Sequence, residues 1–303
     1  MKNLGKGELL VIATAIISGF SIYLNKFAVS GMNAGAFVFL KAIVVSMLVL
    51  SVIVAFKKFE SLKRLSGNDW KKLAIIGFTG GGLAFLLFFK GLALTSAANA
   101  GFLHKTMFAF AGLLAVIFLK EKIDKKLLIA GLLAFVALFA LFSSQFSSFG
   151  FGDLMILAAV LVWSAELILS KKALERIDGN TVAFGRMFFG SIFILAYLAV
   201  SGEISGIAFL NASQLVWVLI TSTLLTGYIL TFYNGLKETS VSKATLILLA
   251  AIPITSMLSM LDAKPLGSLG ILANIALLAV VLIAALNFEF IKSVFKRAFS
   301  WKT

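Results

Sequence analysis

Residues 85–121 read FLLFFKGLALTSAANAGFLHKTMFAFAGLLAVIFLKE. Two apolar runs meet at Thr95-Ser96, a junction too short for anything but a tight turn between two helices. Each run approaches the 20 residues that span a hydrocarbon core of about 30 Å. The chain's only histidine, His104, and Lys105 lie well inside the second run. Charge at that depth is costly and tends to be functional. Later in the chain, FYNGLKETSVSKATLI repeats the pattern of FFKGLALTSAANAGFL. Phe88, Gly91, Leu92, Thr95, Ser96 and Ala100 match Phe232, Gly235, Leu236, Thr239, Ser240 and Ala244, all at a spacing of 144.

Composition agrees with a lipid solvent. Of 303 residues, 61% are hydrophobic and 13% charged, and the mean hydropathy is +1.06. A soluble domain is roughly 45–50% apolar and about 25% charged. The apolar runs are long and do not alternate, which argues for helices and against a β-barrel. A net charge of +14 would suggest nucleic acid in a soluble protein. Here the basic residues sit in short loops, where they orient a membrane chain, so no nucleic-acid partner is expected. The chain has no cysteine and a single histidine, which argues against thiolate and all-protein zinc sites. No metal or cofactor is expected. The N-terminal apolar run continues into Ser18, Ser21 and Asn25 without a cleavage signal, and reads as a retained spanning helix.

The pattern predicts an all-α integral membrane protein with ten spanning helices, at about 8–29, 34–56, 71–93, 97–118, 126–143, 153–173, 180–200, 214–236, 241–261 and 268–290. With the N-terminus placed in the cytoplasm, 21 of the 27 basic residues fall on the inner side. Loops 144–152 and 201–213 carry none. Both termini are therefore expected in the cytoplasm, the last with a basic tail of Lys292, Lys296, Arg297 and Lys302. Earlier helices also repeat, at a spacing of 145: Leu24, Lys26 and Ala28 fall on Leu169, Lys171 and Ala173, and Phe39 and Lys41 on Phe184 and Arg186. Two five-helix halves follow, 1–145 and 146–303. Five is odd, so the second half enters from the opposite side. That inverted-topology repeat is the ground plan of an alternating-access carrier.

These features together resemble the drug/metabolite transporter superfamily, in its ten-helix EamA branch. The residues that carry the resemblance are the polar first helix, Lys41 early in helix 2, the two Gly-Leu-x-x-Thr-Ser turns, and Phe118-Leu119-Lys120-Glu121-Lys122 at the end of helix 4. Gly152-Asp153-Leu154, Trp163-Ser164-Ala165 and Pro253 also fit. The resemblance implies a secondary carrier with a central cavity lined by both halves, not an enzyme. It implies small metabolites or amphipathic drugs as cargo, moved mostly outward. The expected setting is multi-pass in a prokaryotic inner membrane, with a monomer as one assembly and the oligomeric state left open by the sequence. The G-x-x-x-x-G-K-[ST] phosphate loop of an ATP-driven pump is absent from the sequence.

Substrate-binding candidates lie on a few faces. Thr14, Ser18, Ser21 and Asn25 share one face of helix 1, and Trp163, Glu166 and Ser170 recur 145 residues after Ser18, Ser21 and Asn25. The alternative for such a face is helix–helix hydrogen bonding. Glu166 is the one acid deep in a span; it either serves substrate or proton coupling, or pairs with Arg186. Lys41 and its repeat mate Arg186 either guide an anionic group or anchor to headgroups. Lys105, on a face with Gly101 and Gly112, should turn toward protein. Lys26 and Lys90 are expected to snorkel. His104 suits proton coupling or a structural hydrogen bond. Tyr23, Trp163, Trp217, Tyr228 and Tyr233 are candidates for a cavity wall, and Trp70 and Trp301 for an interface belt. Gly80, Gly81, Gly82 and Pro253 are candidate bend points. Five basic side chains against one acid within the spans favour an anionic or zwitterionic, amino-acid-like substrate. A cationic amphiphile held by Glu166 and aromatic rings is the alternative. An enzyme acting on lipid-linked substrates is remote.

Overall fold

A computed structural model describes residues 4–28, 33–57, 59–207, 211–262 and 266–286, with the side chains of Lys26 and Ala34 excepted. The expected basic tail, Trp301 and the snorkelling of Lys26 lie outside the described residues or side chains. Among the described residues there are ten helices long and apolar enough to cross a membrane. They are α1 Lys6–Ala28, α2 Ala34–Ala55, α3 Gly67–Leu92, α4 Ala97–Leu119 and α5 Lys125–Phe142. Then come α6 Phe151–Ala173, α7 Gly179–Val200, α8 Ala212–Glu238, α9 Val241–Asp262 and α10 Ser268–Ala285. A short extra helix, Phe59–Lys63, sits between α2 and α3.

Polar residues set the helix starts. Ser66 and Asp69 form a capping box, as do Asn211 and Gln214. Asp124 and Asp178 cap α5 and α7. Ser96 and Ser240, the two serines of the repeated turn, each accept from the backbone N–H three residues on, Asn99 and Lys243. A cap of this kind contributes about 1 kcal/mol.

The outside of the bundle is apolar. On α5, Leu128, Leu132, Phe135, Val136 and Phe139 are all exposed, as a lipid-facing helix requires. Inside, α1 packs on α8 and α9, α6 on α3 and α4, α2 on α7, and α5 on α10. Two crossings depend on glycine. A Cβ on Gly235 would lie 2.8 Å from Val11 and 3.0 Å from the Gly7 carbonyl, and one on Gly91 would lie 2.7 Å from the Gly152 carbonyl. Small residues let backbones touch where lipid supplies no hydrophobic drive between helices.

Three spanning helices are irregular. In α3, residues Gly77–Leu83 form a widened π turn, at the glycines marked as bend points. In α4 the helix breaks at Thr106, whose hydroxyl donates to the Leu103 carbonyl at 2.6 Å; this competes with the helix ladder. In α9 a tighter turn at Leu248–Ala250 precedes Pro253, which has no N–H for the ladder. Thr106 and Ala250 are 144 residues apart, so α4 and α9 are irregular at positions separated by the spacing of the sequence repeat.

Candidate functional site

The site forms where the widened turn of α3 meets α6 and α7. A Cβ on Gly81 would collide with the Arg186 carbonyl, and one on Gly80 would lie 2.5 Å from Glu166 Cγ. Only glycine lets α3 come this close. The π geometry, a recurrent mark of functional sites, turns the Gly80 carbonyl toward both neighbours. It accepts from Trp163 Nε1 of α6 and from Arg186 Nη2 of α7, each at 3.0 Å.

Glu166 is 2% exposed and Arg186 9%, so each charge needs compensation within the protein. Glu166 Oε2 lies 3.8 Å from Arg186 Nε. Glu166 Oε1 accepts from Tyr233 Oη of α8 at 2.8 Å and from Ser170 Oγ, one turn on, at 2.5 Å. Arg186 Nη1 faces the sulfur of Met187, its Cζ lies 5.7 Å from the centre of the Phe85 ring, and its Nε has no hydrogen-bond partner among the described residues. Four helices thus converge on one ion pair. Glu166 and Arg186 are thus paired in this structure, as one of the two readings of Glu166 expected. The anchoring alternative for Arg186 does not hold, because its guanidinium is turned inward, onto Gly80 and Glu166.

An aromatic wall continues from this pair. Trp163 lies 5.4 Å from Phe85, 5.4 Å from Phe88 and 5.3 Å from His104, with Phe88 and His104 5.1 Å apart. His104 is thereby one residue removed from the Gly80–Arg186–Glu166 cluster. Tyr228 stacks on Phe232 at 5.8 Å, five residues before Tyr233 on the same helix.

The face of α1 is divided. Thr14 donates to Thr231 of α8 at 2.8 Å, the helix–helix role. Nearer the end of α1, Asn25 accepts from Lys41 Nζ of α2 at 3.0 Å and donates to Ser21 at 3.4 Å. Lys41 also lies over the Phe37 ring. Ser18 is half-buried between these groups. Lys105 is half-buried, and neither it nor Lys41 forms an ion pair among the described residues. Lys90 is exposed over the Tyr197 ring. Trp70 packs edge-on against Phe189, and Trp217 stacks on Phe27 at 6.0 Å.

The structure therefore joins Trp163, Glu166 and Arg186, links His104 to them through Trp163, and sets Ser21, Asn25 and Lys41 in a second polar group. Ser170 as a ligand of Glu166 was legible from its i, i+4 spacing. Tyr233 was marked only as a wall aromatic, and a backbone acceptor such as Gly80 has no signature in sequence.

The two repeated turns are gripped in matching ways. Thr95 donates to Asp153 at 2.6 Å, and Thr239 to Glu8 at 3.2 Å; Glu8 and Asp153 are 145 residues apart. The second turn is held further. Glu121 accepts from Val241 N, Ser242 N and Ser242 Oγ at 2.7, 3.1 and 2.7 Å, and Lys171 donates to the Leu236 and Thr239 carbonyls at 2.7 Å each.

The model of the EamA-like transporter family matches residues 5–143 and 150–286. An uncharacterized transporter of Clostridium kluyveri is 28% identical over 271 residues, 84% of this chain and 85% of that protein. One of Archaeoglobus fulgidus is 24% identical over 251 residues, 80% and 85% of the two chains. The uncharacterized transporter YetK of Bacillus subtilis is 27% identical over 247 residues, 78% and 73%. A solved structure titled only "Crystal structure of protein" superposes with a TM-score of 0.76 at 16% identity, covering 93% of this chain and 97% of that one. At that identity the likeness concerns the fold.

Proposed function

The chain belongs to the EamA-like transporter family, and from that premise we propose that it is a secondary carrier that exports an anionic or zwitterionic, amino-acid-like metabolite by alternating access. One observation carries the substrate class. The single deep acid, Glu166, is fully engaged by Arg186, Tyr233 and Ser170. Lys41 and Lys105 have no carboxylate partner among the described residues. A cationic substrate would have to displace Arg186, whereas Lys41 and Lys105 are each a cation without a carboxylate partner. Charges within a span seek partners, and a substrate can be that partner.

Two halves of opposite insertion are the proposed working parts, with both termini on the cytoplasmic side. In support, α1 packs on α8 as α6 packs on α3, and the glycine crossings, acid–threonine contacts and helix breaks recur at spacings of 144 or 145. The Glu166–Arg186 cluster joins α3, α6, α7 and α8, helices of both halves, so a change in its protonation or pairing would reach both. Glu166 and His104 are the candidates for proton coupling.

Counterflow in proteoliposomes, run against amino acids and organic anions with and without a proton gradient, tests the proposal. Saturable exchange of a carboxylate compound is expected. Exchange confined to quaternary amines, or no saturable exchange at all, overturns it. Glu166→Gln should uncouple exchange from the proton gradient; gradient-driven exchange that survives the substitution removes Glu166 from coupling.

A further inference from the structure

A second polar feature lies at one end of the bundle, away from the Glu166 cluster. The connection between α2 and α3, the connection between α6 and α7, and the end of α8 enclose a cleft of about 390 Å³. Three cations reach it from these three parts of the chain: Arg64, Arg176 and Lys237. All three are exposed, and none enters a hydrogen bond or an ion pair among the described residues.

Two acids also line the cleft, and both are engaged by the backbone. Asp69 Oδ2 accepts from Ser66 N at 3.1 Å and Ser66 Oγ at 2.7 Å, Asp69 Oδ1 lies 4.0 Å from Lys72, and Arg176 is within electrostatic reach of the same carboxylate. Asp178 Oδ1 accepts from Asn180 N at 3.0 Å. Two hydroxyls also line the cleft, Ser61 Oγ and the buried Thr181 Oγ1, 3.4 Å apart. Two guanidinium forks, an ammonium and a hydroxyl pair around an open volume match the oxygens of a tetrahedral anion. The cleft also lies at helix ends, the depth of lipid headgroups.

We propose that this cleft is a binding site for a phosphate group, presented either by the headgroup of an anionic phospholipid or by a free phosphate. A bound phosphate would tie the α2–α3 and α6–α7 connections to the end of α8 and stabilise the bundle by mass action. The site is independent of what the central cluster carries.

The test uses the purified full chain, wild type and the triple variant Arg64→Gln, Arg176→Gln, Lys237→Gln. Lys122→Gln, an exposed lysine outside the cleft, serves as the charge control. Native mass spectrometry follows retention of phosphatidylglycerol against phosphatidylcholine. Thermal unfolding in a neutral detergent follows inorganic phosphate against chloride at equal ionic strength. The wild type and the control should retain at least one phosphatidylglycerol with roughly tenfold preference, or be stabilised saturably by phosphate, and the triple variant should lose that response. Response in the lipid arm alone identifies a headgroup site; response in the phosphate arm identifies a free-phosphate site. A wild type that responds to neither probe, or a triple variant that responds like the wild type, overturns the proposal.

Discussion

The ion pair at the centre of the bundle gives the sharpest prediction. At 3.8 Å, two unit charges attract by about 4 kcal/mol at an effective dielectric constant of about 20. Glu166→Gln leaves a guanidinium buried beside a neutral amide, and loss of one partner of a buried pair typically costs about 3–5 kcal/mol. Arg186→Met leaves a carboxylate with two hydroxyl donors, Tyr233 and Ser170. That deficit is smaller, because the two donors still satisfy the carboxylate oxygen they reach. The double variant buries no charge. Its cost should fall well short of the sum of the singles, with a coupling energy of about 2–4 kcal/mol. The measurement is equilibrium SDS unfolding of the wild type, the two singles and the double in one detergent. Single-variant costs that add to within about 0.5 kcal/mol would show that the pair carries no interaction energy, and the reading of Glu166 as Arg186's partner would fail.

Three further outcomes follow from named contacts. Lys41→Met and Lys105→Met should each raise the substrate concentration for half-maximal counterflow about tenfold without lowering the unfolding midpoint, since each removes a charge from an apolar span; lost stability with unchanged affinity would make these lysines structural. Glu121→Gln removes the charged acceptor of three hydrogen bonds to the start of α9 and should cost about 1–3 kcal/mol of unfolding free energy, whereas an unchanged unfolding midpoint would mean the grip contributes nothing. Gly81→Ala would drive its methyl into the Arg186 carbonyl and to 3.1 Å from Gly190 Cα, backbone that cannot yield, and should cost about 1–3 kcal/mol. Gly67→Ala, with nothing within 4 Å, should instead gain about 0.5–1 kcal/mol, and equal effects of the two in thermal unfolding would refute the close approach of α3 to α7.

The sequence by itself determined the solvent, the number of spans and nearly every helix end. Each of these depends on local quantities: the length of an apolar run, a Ser or Asp at a cap, a proline in α9. The likeness of the two turns was legible too, because Ser96 and Ser240 cap their helices in the same way. Glu166, Arg186 and Trp163 were visible as candidates, since charge and indole are rare within a span. Tertiary structure decided what they touch. Whether Glu166 faces a substrate or Arg186 depends on how α6 and α7 are rotated and how near α3 approaches, which Gly80, Gly81 and Gly190 set by having no side chain. The acceptor that binds Trp163 and Arg186 together is a backbone carbonyl, a group every residue possesses and no sequence can single out. His104 and Lys105 are adjacent in the chain, yet helical rotation sends them apart, the one into the Trp163 wall and the other to a half-buried place without an ion-pair partner.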